Sequence, residues 1–230
     1  MKKLLLILIL LPVLIFAQDE KTDESVSSPW KPAGVVSINI SQINFNNWSK
    51  GGDNSFSVAG LFNGGVTYIM DGWTWNNQLK AAYGRTKTGQ STYRTTDNEL
   101  NFETILSRNI GFAVDPYISV NMRTVIANGF DYKNVLEPQI SAFFDPGYLT
   151  ESIGFTYDKL YGFKTRLGVA FHQVFTNKFT QYSDNPDTPE IEKFLFETGI
   201  ESVTEGKVTI DENILFTSKL RLFSAFDRLY

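Results

Sequence analysis

The 230-residue chain has no cysteine and a single histidine. Without cysteine there can be no disulfide, no thiolate metal ligand and no acylated lipoprotein cysteine. One imidazole among scattered carboxylates gives no ligand spacing, so neither a metal nor a cofactor is expected. Long apolar runs are scarce too. The longest, residues 4–16, has 13 residues with Pro12 as its one interruption, against the roughly 20 that a spanning helix needs. Basic charge is also in short supply: the formal net charge is −4. Nucleic acid is bound through concentrated Lys and Arg, so it is not an expected partner. Between residues 34 and 222 nothing sustains the three-and-four spacing of an amphipathic helix.

What is present starts with Lys2 and Lys3, a short basic region ahead of the apolar run, followed by Ala17 and Gln18. This is the layout of a secretory signal peptide over residues 1–17, exported through the Sec pathway and cleaved after Ala17. Residues 18–33 are rich in Asp, Glu, Lys, Ser and Pro, cannot bury a core, and read as a disordered leader. The rest, residues 34–230, fits one domain.

That domain alternates. Phe56, Val58, Phe62, Val66 and Tyr68 share one parity, and Ser55, Ser57, Asn63 and Thr67 share the other. Trp73, Trp75, Leu79 and Tyr83 repeat the pattern against Thr74, Asn76, Gln78 and Lys80, and further copies run through 100–112, 116–126, 161–175 and 208–220. Period two is the mark of a strand with one apolar and one polar face. Soluble β-sandwiches alternate as well. Several runs here, however, are much longer than the about five or six residues usual in soluble domains. Their polar parity also carries charge in mid-strand: Lys80, Glu103, Arg123, Lys164, Arg166, Asp211 and Lys219. Charges there suit the hydrated lumen of an antiparallel, up-and-down transmembrane β-barrel. A soluble periplasmic or surface β-domain is the alternative.

Loop lengths orient the barrel, because bacterial barrels have short periplasmic turns and longer external loops. Asp71-Gly72 and Val114-Asp115-Pro116 are tight turns, whereas 48–54, 86–98, 128–137 and 177–190 are longer and polar. Aromatics gather at the short turns: Tyr68, Trp73 and Trp75, then Phe112 and Tyr117, then Tyr157 and Tyr161. They form either an interfacial girdle or cross-strand pairs at hairpin ends. Residues 138–157 read as one strand kinked at Pro146-Gly147, with two short strands as the alternative. Strands are then expected near 35–46, 55–70, 73–85, 99–112, 116–127, 138–157, 161–176, 191–203 and 207–223. Nine is odd where single-chain bacterial barrels are even. Either nine or ten strands are present, or the barrel lacks its closing C-terminal strands and has 12 when complete. Either an open, strained or poorly paired seam between residues 35–46 and 207–223 is therefore expected, or 138–157 forms two strands.

The segments Asn44-Phe45-Asn46-Asn47-Trp48-Ser49-Lys50-Gly51-Gly52, Leu61-Phe62-Asn63-Gly64, Trp75-Asn76-Asn77-Gln78-Leu79, Ala82-Tyr83-Gly84 and Thr95-Thr96-Asp97 resemble the uncharacterised outer-membrane family known as domain of unknown function 3078. Phe144-Asp145-Pro146-Gly147-Tyr148-Leu149 and Phe223-Ser224-Ala225-Phe226-Asp227 fit the same pattern. The resemblance implies a fold and an outer-membrane location in a Gram-negative cell, with no activity to carry over. It also implies further strands beyond Asp227.

Candidate sites are sparse. His172 shares the polar parity of its strand with Lys164 and Arg166, and reads as a structural lumen histidine. A hydrolase or lipid-modifying barrel using His172 is the enzymatic alternative, without the Gly-x-Ser-x-Gly elbow. Asp184, Asp187 and Glu190 lack the spacing of a calcium loop and read as a solvated acidic loop. The expected function is a non-enzymatic, porin-like barrel for passive transport, or a component of an envelope assembly. Outer-membrane lipid and the barrel-assembly machinery are the expected partners, with an envelope protein beside them.

Overall fold

The computed structural model describes residues 28–46 and 51–228, so the expected signal peptide and most of the expected leader lie outside the described residues. Eleven strands follow one another: β1 (Trp30–Ile43), β2 (Ser55–Met70), β3 (Trp73–Thr88), β4 (Arg94–Arg108), β5 (Asp115–Thr124), β6 (Gly129–Phe130), β7 (Gln139–Ser141), β8 (Gly147–Leu160), β9 (Phe163–Phe175), β10 (Phe194–Asp211) and β11 (Ile214–Ala225). Nine of them make one antiparallel sheet in the order β1-β2-β3-β4-β5-β8-β9-β10-β11, while β6 and β7 pair only with each other. The large sheet curls into an open half-barrel with β1 and β11 as its edges. Short 3-10 turns at Thr180–Tyr182 and Phe226–Arg228 are the only helical pieces among the described residues.

Each short turn follows from local chemistry. Asp71 and Gly72 both have positive φ, 51° and 78°. That is the type I′ geometry whose twist matches a hairpin, and Asp-Gly is a preferred pair for it. Tyr161-Gly162 reverses β8 into β9 with Gly162 at φ 70°. The turns at 71–72, 109–114, 161–162 and 212–213 lie at one end of the sheet, and the connections 89–93, 125–146 and 176–193 at the other.

Several boundaries differ from the sequence reading, among them the reversal expected at Val114-Asp115-Pro116, which spans 109–114 and leaves Asp115 and Pro116 in β5. The first strand begins at Trp30, inside the expected leader, because the Trp30 ring packs 4.8 Å from Tyr68 and 6.0 Å from Trp75. Pro32 is tolerated there because β1 is an edge strand. Residues 86–98, expected as a loop, are mostly strand, and a bulge at Gly84/Arg85 keeps β3 and β4 paired. Residues 138–157 are neither one kinked strand nor two wall strands. Phe144 has φ 57° and Ala142 exchanges backbone hydrogen bonds of 2.8 and 2.9 Å with Asp145. The chain therefore reverses at 142–145, so β7 folds onto β6 and only β8 enters the wall beside β5. Finally, the last hairpin turns at 212–213 rather than 204–206, and β10 runs unbroken from Phe194 to Asp211.

Period two separates the faces. Val36, Ile38, Ile153, Phe155, Leu167 and Leu222 stand on the convex face and are all more than half exposed. Polar groups on that face satisfy one another: the Trp75 indole donates to Thr104 Oγ1 at 2.8 Å, which donates to Asn77 Oδ1 at 2.8 Å. Tyr117, expected in the aromatic row, turns the other way. It is buried, and its hydroxyl lies 2.7 Å from Ser152 Oγ.

At the long-loop end one carboxylate organises the chain. Asp145 accepts backbone hydrogen bonds from Asn177 (2.9 Å), Lys178 (2.8 Å) and Phe179 (3.4 Å). Beside it, Thr124 Oγ1 accepts from the Phe144 amide and donates to the Pro146 carbonyl. Burial pushes the Asp145 carboxyl up, but the three amides and the Lys178 ammonium outweigh it and hold the group below its ordinary value. Since only the carboxylate accepts all three bonds, the anchor is complete above the unfolded value of about 3.9 and is lost as pH falls through the lowered folded value. Replacing Asp145 with Ala is expected to free the 176–193 connection at a local loss of about 1–3 kcal/mol. Hydrogen exchange at the amides of Asn177, Lys178 and Phe179 checks this: protection should fall in the variant at neutral pH and in the wild type only in acid.

Candidate functional site

On the concave face the side chains are charged and short of water. Glu103 on β4 is 4 % exposed, Arg166 on β9 3 % and Glu201 on β10 3 %. Burying single charges this far costs several kcal/mol each, so each must find a partner. Glu103 Oε1 meets Arg166 at 3.1 Å, its Oε2 meets Lys219 at 2.5 Å, and Arg221 also bonds to Oε1. Glu205 bridges Arg166 (3.5 Å) and Lys219 (3.0 Å), and Arg221 Nε lies 3.6 Å from Glu201. Three carboxylates and three cations thus form one charge-balanced cluster.

The topology gives this cluster its meaning. In sheet order β9 is three strands from β4 and β11 is five. A side chain on β4 therefore reaches across the concavity to strands that are not its neighbours. The cluster ties the two sides of the curl together and fills the space between them. Tyr117 lies beneath it, with the Arg166 guanidinium 5.8 Å from its ring centroid. Gly168 makes room for that ring, since a Cβ at this position would run into Tyr117 Oη and the Ile153 carbonyl.

The other expected lining residues are spread over the same face. Lys80 pairs with Glu99 at 2.6 Å, with both half-exposed. The Arg123 guanidinium stacks 4.7 Å over Tyr148. Lys164 stands in register with Glu205 on the neighbouring strand. Asp211 departs from the expectation: with the hairpin turning at 212–213 it ends β10, exposed, far along the sheet from the cluster. A polar cavity of about 320 Å³ separates Lys80 and Glu99 from Glu103, Lys219 and Arg221, with Asn101 and Asn121 along its wall.

His172 faces this side too. Its Nδ1 lies 3.0 Å from Thr150 Oγ1, its ring stacks on Tyr148 at 6.2 Å, and Phe223 is 5.5 Å away. The hydroxyl beside it belongs to a threonine on the adjacent strand, so the imidazole is held between aromatic rings and one hydrogen bond. Among the described residues no group of three or more His, Asp or Glu could hold a metal ion.

Four members of the site escape the sequence reading: Arg221, Glu201, Glu205 and Tyr117. A turn placed at 204–206 removed Glu205 from its strand and broke the parity run Glu197, Gly199, Glu201, Val203, Glu205 and Lys207. Unbroken, that run signals a single long strand with a charged face. Arg221 shares the parity of Lys219 and was available on that ground.

Removing the central carboxylate is the sharpest perturbation of the cluster. Glu103→Gln leaves the buried Arg166 with the longer, 3.5 Å pairing to the partly exposed Glu205 as its one remaining ion pair, and is expected to destabilise the fold by about 3–5 kcal/mol. Lys219→Met removes a cation whose side chain is 42 % exposed and should cost about 1 kcal/mol or less. Thermal unfolding followed by circular dichroism compares the two, and a larger loss for Lys219→Met contradicts the assignment of Glu103 as the hub.

No curated protein and no solved structure matches the chain. Residues 40–130, which run from the end of β1 through β5 to Phe130, match the family model described as Protein of unknown function (DUF3078), the family that the motifs of this stretch resemble.

Proposed function

We propose that this chain builds the wall of an outer-membrane β-barrel whose interior is closed by ion pairs, and that it serves an envelope assembly as a structural component rather than as a diffusion pore. The observation that carries this reading is the inverted polarity of the sheet. Glu103, Arg166 and Glu201 are nearly buried, while Val36, Ile38 and Ile153 are more than half exposed. In water such a distribution is unfavourable by about 25 cal/mol for each Å² of apolar surface left wet. Against lipid it is the expected one. A soluble sandwich would cover its apolar face with a second sheet, and among the described residues there is one large sheet and a short two-stranded ribbon.

The Glu103 cluster favours a closed interior over a porin. It occupies the middle of the concavity, and its charges are spent on one another. His172, held by Thr150 and Tyr148, is read as structural. Lipid and the barrel-assembly machinery are the proposed partners, and Lys2 and Lys3 ahead of the apolar run 4–16 support export.

Planar-bilayer recording of the purified protein tests the closed interior. The wild type is expected to be silent across salts and voltages, and the double variant Glu103→Ala, Lys219→Ala to show openings. Regular conductance steps from the wild type would falsify the closed reading. Orientation is checked with single cysteines in intact cells. A membrane-impermeant maleimide is expected to label Gly89→Cys and Asn185→Cys and to spare Gly72→Cys. Release of the wild type by a carbonate wash without detergent would leave the soluble β-domain as the answer.

A further inference from the structure

The convex face changes character at the long-loop end of β3 and β4. Tyr83, Arg85 and Lys87 follow one another at alternate positions on β3, all on the convex side. The connection between β5 and β8 folds back against them. Asn98 Oδ1 accepts the amides of Ile126 and Ala127, at 2.9 and 3.0 Å, and its Nδ2 donates to the Ala127 carbonyl at 2.7 Å. The Thr95 amide donates to Tyr132 Oη at 2.9 Å. Arg94 pairs with Glu137 at 2.5 Å and covers the Tyr132 ring at 5.2 Å. These bonds hold open a cleft of about 770 Å³, with Tyr83, Arg85 and Tyr93 on one side and Phe130 and Tyr132 on the other. That volume lies within the range of about 300–1,000 Å³ usual for ligand sites.

The charge of the cleft is unbalanced. Glu137, the one carboxylate in its lining, is committed to Arg94. Arg85 donates to the Tyr93 carbonyl at 2.9 Å and lies 5.6 Å over the Tyr93 ring, which leaves most of its N–H groups open. Neither Arg85 nor Lys87 forms an ion pair among the described residues. Directly below, on the same face, the polar surface gives way to Ala81 and Leu79 on β3 and Leu100 and Phe102 on β4. Gly60, the cross-strand neighbour of Tyr83, is flanked by open space, since a Cβ there would meet nothing within 4 Å. A cationic, aromatic-rimmed cup thus sits at the head of an apolar furrow.

We infer that this cleft holds the anionic, phosphate-bearing headgroup of a membrane lipid, with the lipid's acyl chains running down the furrow past Gly60 and Ala81. The inference rests on the membrane reading above. A guanidinium binds phosphate oxygens through paired N–H donors, and Lys87 adds a second cation within the same headgroup layer. Tyr83, Tyr93 and Tyr132 place amphipathic rings at the depth where lipid turns from polar to apolar. A soluble anion would use the cup and ignore the furrow. A diacyl lipid uses both, which is why the two features occurring together favour it.

The test is native mass spectrometry of the full chain released from maltoside micelles carrying equal phosphatidylglycerol and phosphatidylcholine. The wild type is expected to retain one phosphatidylglycerol with about tenfold preference. Arg85→Gln with Lys87→Gln should abolish that preference, and Gly60→Leu, which leaves both cations in place, should weaken retention of the same lipid several-fold. Circular dichroism of each variant separates lost binding from lost fold. Equal retention of the two lipids by a folded, micelle-bound wild type overturns this inference while the membrane reading stands. Displacement of the lipid by inorganic phosphate at equal concentration overturns the assignment to a lipid. A wild type that stays in the aqueous phase overturns the membrane reading and this inference with it.

Discussion

A carboxylate that is 4 % exposed must have its counter-charge within a few ångströms, and Glu103 draws its own from two places in the wall, one on β9 and two on β11. Because those strands lie three and five positions from β4, satisfying Glu103 fixes how tightly the sheet curls. A flatter sheet would pull Lys219 and Arg221 out of reach and leave a buried charge unpaired. A tighter one would drive Arg166 into the Tyr117 ring. Backbone pairing sets the order of the strands, but every neighbouring ladder would survive a change of curvature. The ion pairs are the interaction that a change of curvature would break. Replacing such a cluster by well-packed apolar residues is often neutral or even stabilising in other proteins. Its value therefore lies in geometry rather than in gross stability.

The two faces treat their polar groups differently. On the concave side polar groups are paired with one another, through Lys80 with Glu99, Asn121 with Asn101 and Tyr117 with Ser152. On the convex side the few polar atoms, such as those of Asn77, Thr104 and Trp75, are closed into a short chain of hydrogen bonds. Neither face leaves much for bulk water to do. The proposed lipid setting accounts for both faces at once, whereas an aqueous one accounts for the concave face alone.

Much of this was legible in the sequence, and for a simple reason. A single-layer sheet has only two faces, so parity assigns a side chain as soon as its strand is known. Alternation alone gives Glu103, Arg166 and Lys219 a common polar face, and the number of wall strands and the turn at 71–72 follow from the same pattern, whereas the turns expected at 114–116 and 204–206 lie instead at 109–114 and 212–213. Parity fails where the chain stops being a strand. Residues 138–146 kept an apolar alternation, but the reversal at Phe144 and Asp145 depends on hydrogen bonds between Ala142 and Asp145 that no pattern announces. Asp145 itself is read by amides more than thirty residues downstream. The cluster around Glu103 was hidden differently. Parity says that Arg221 and Glu201 share a face with Glu103, but which of them meet across the concavity depends on curvature, a property of the whole sheet. The misplaced turn at 204–206 had a local cause, since Glu205-Gly206-Lys207 has the composition of a loop and sits in the interior of an 18-residue strand.

The count of strands carries one more implication, through direction rather than number. Neighbours alternate in direction along the wall, so the first and ninth strands, β1 and β11, run the same way. If these two edges met directly they would have to pair in parallel, with slanted hydrogen bonds unlike those of the eight ladders already formed. Antiparallel pairing all the way round requires an odd number of strands between β11 and β1, from whatever source they come. The sheet thus constrains what can complete it: an odd insert leaves every seam alike, and an even one leaves a single seam of different geometry, distinguishable by its amide couplings from all the others.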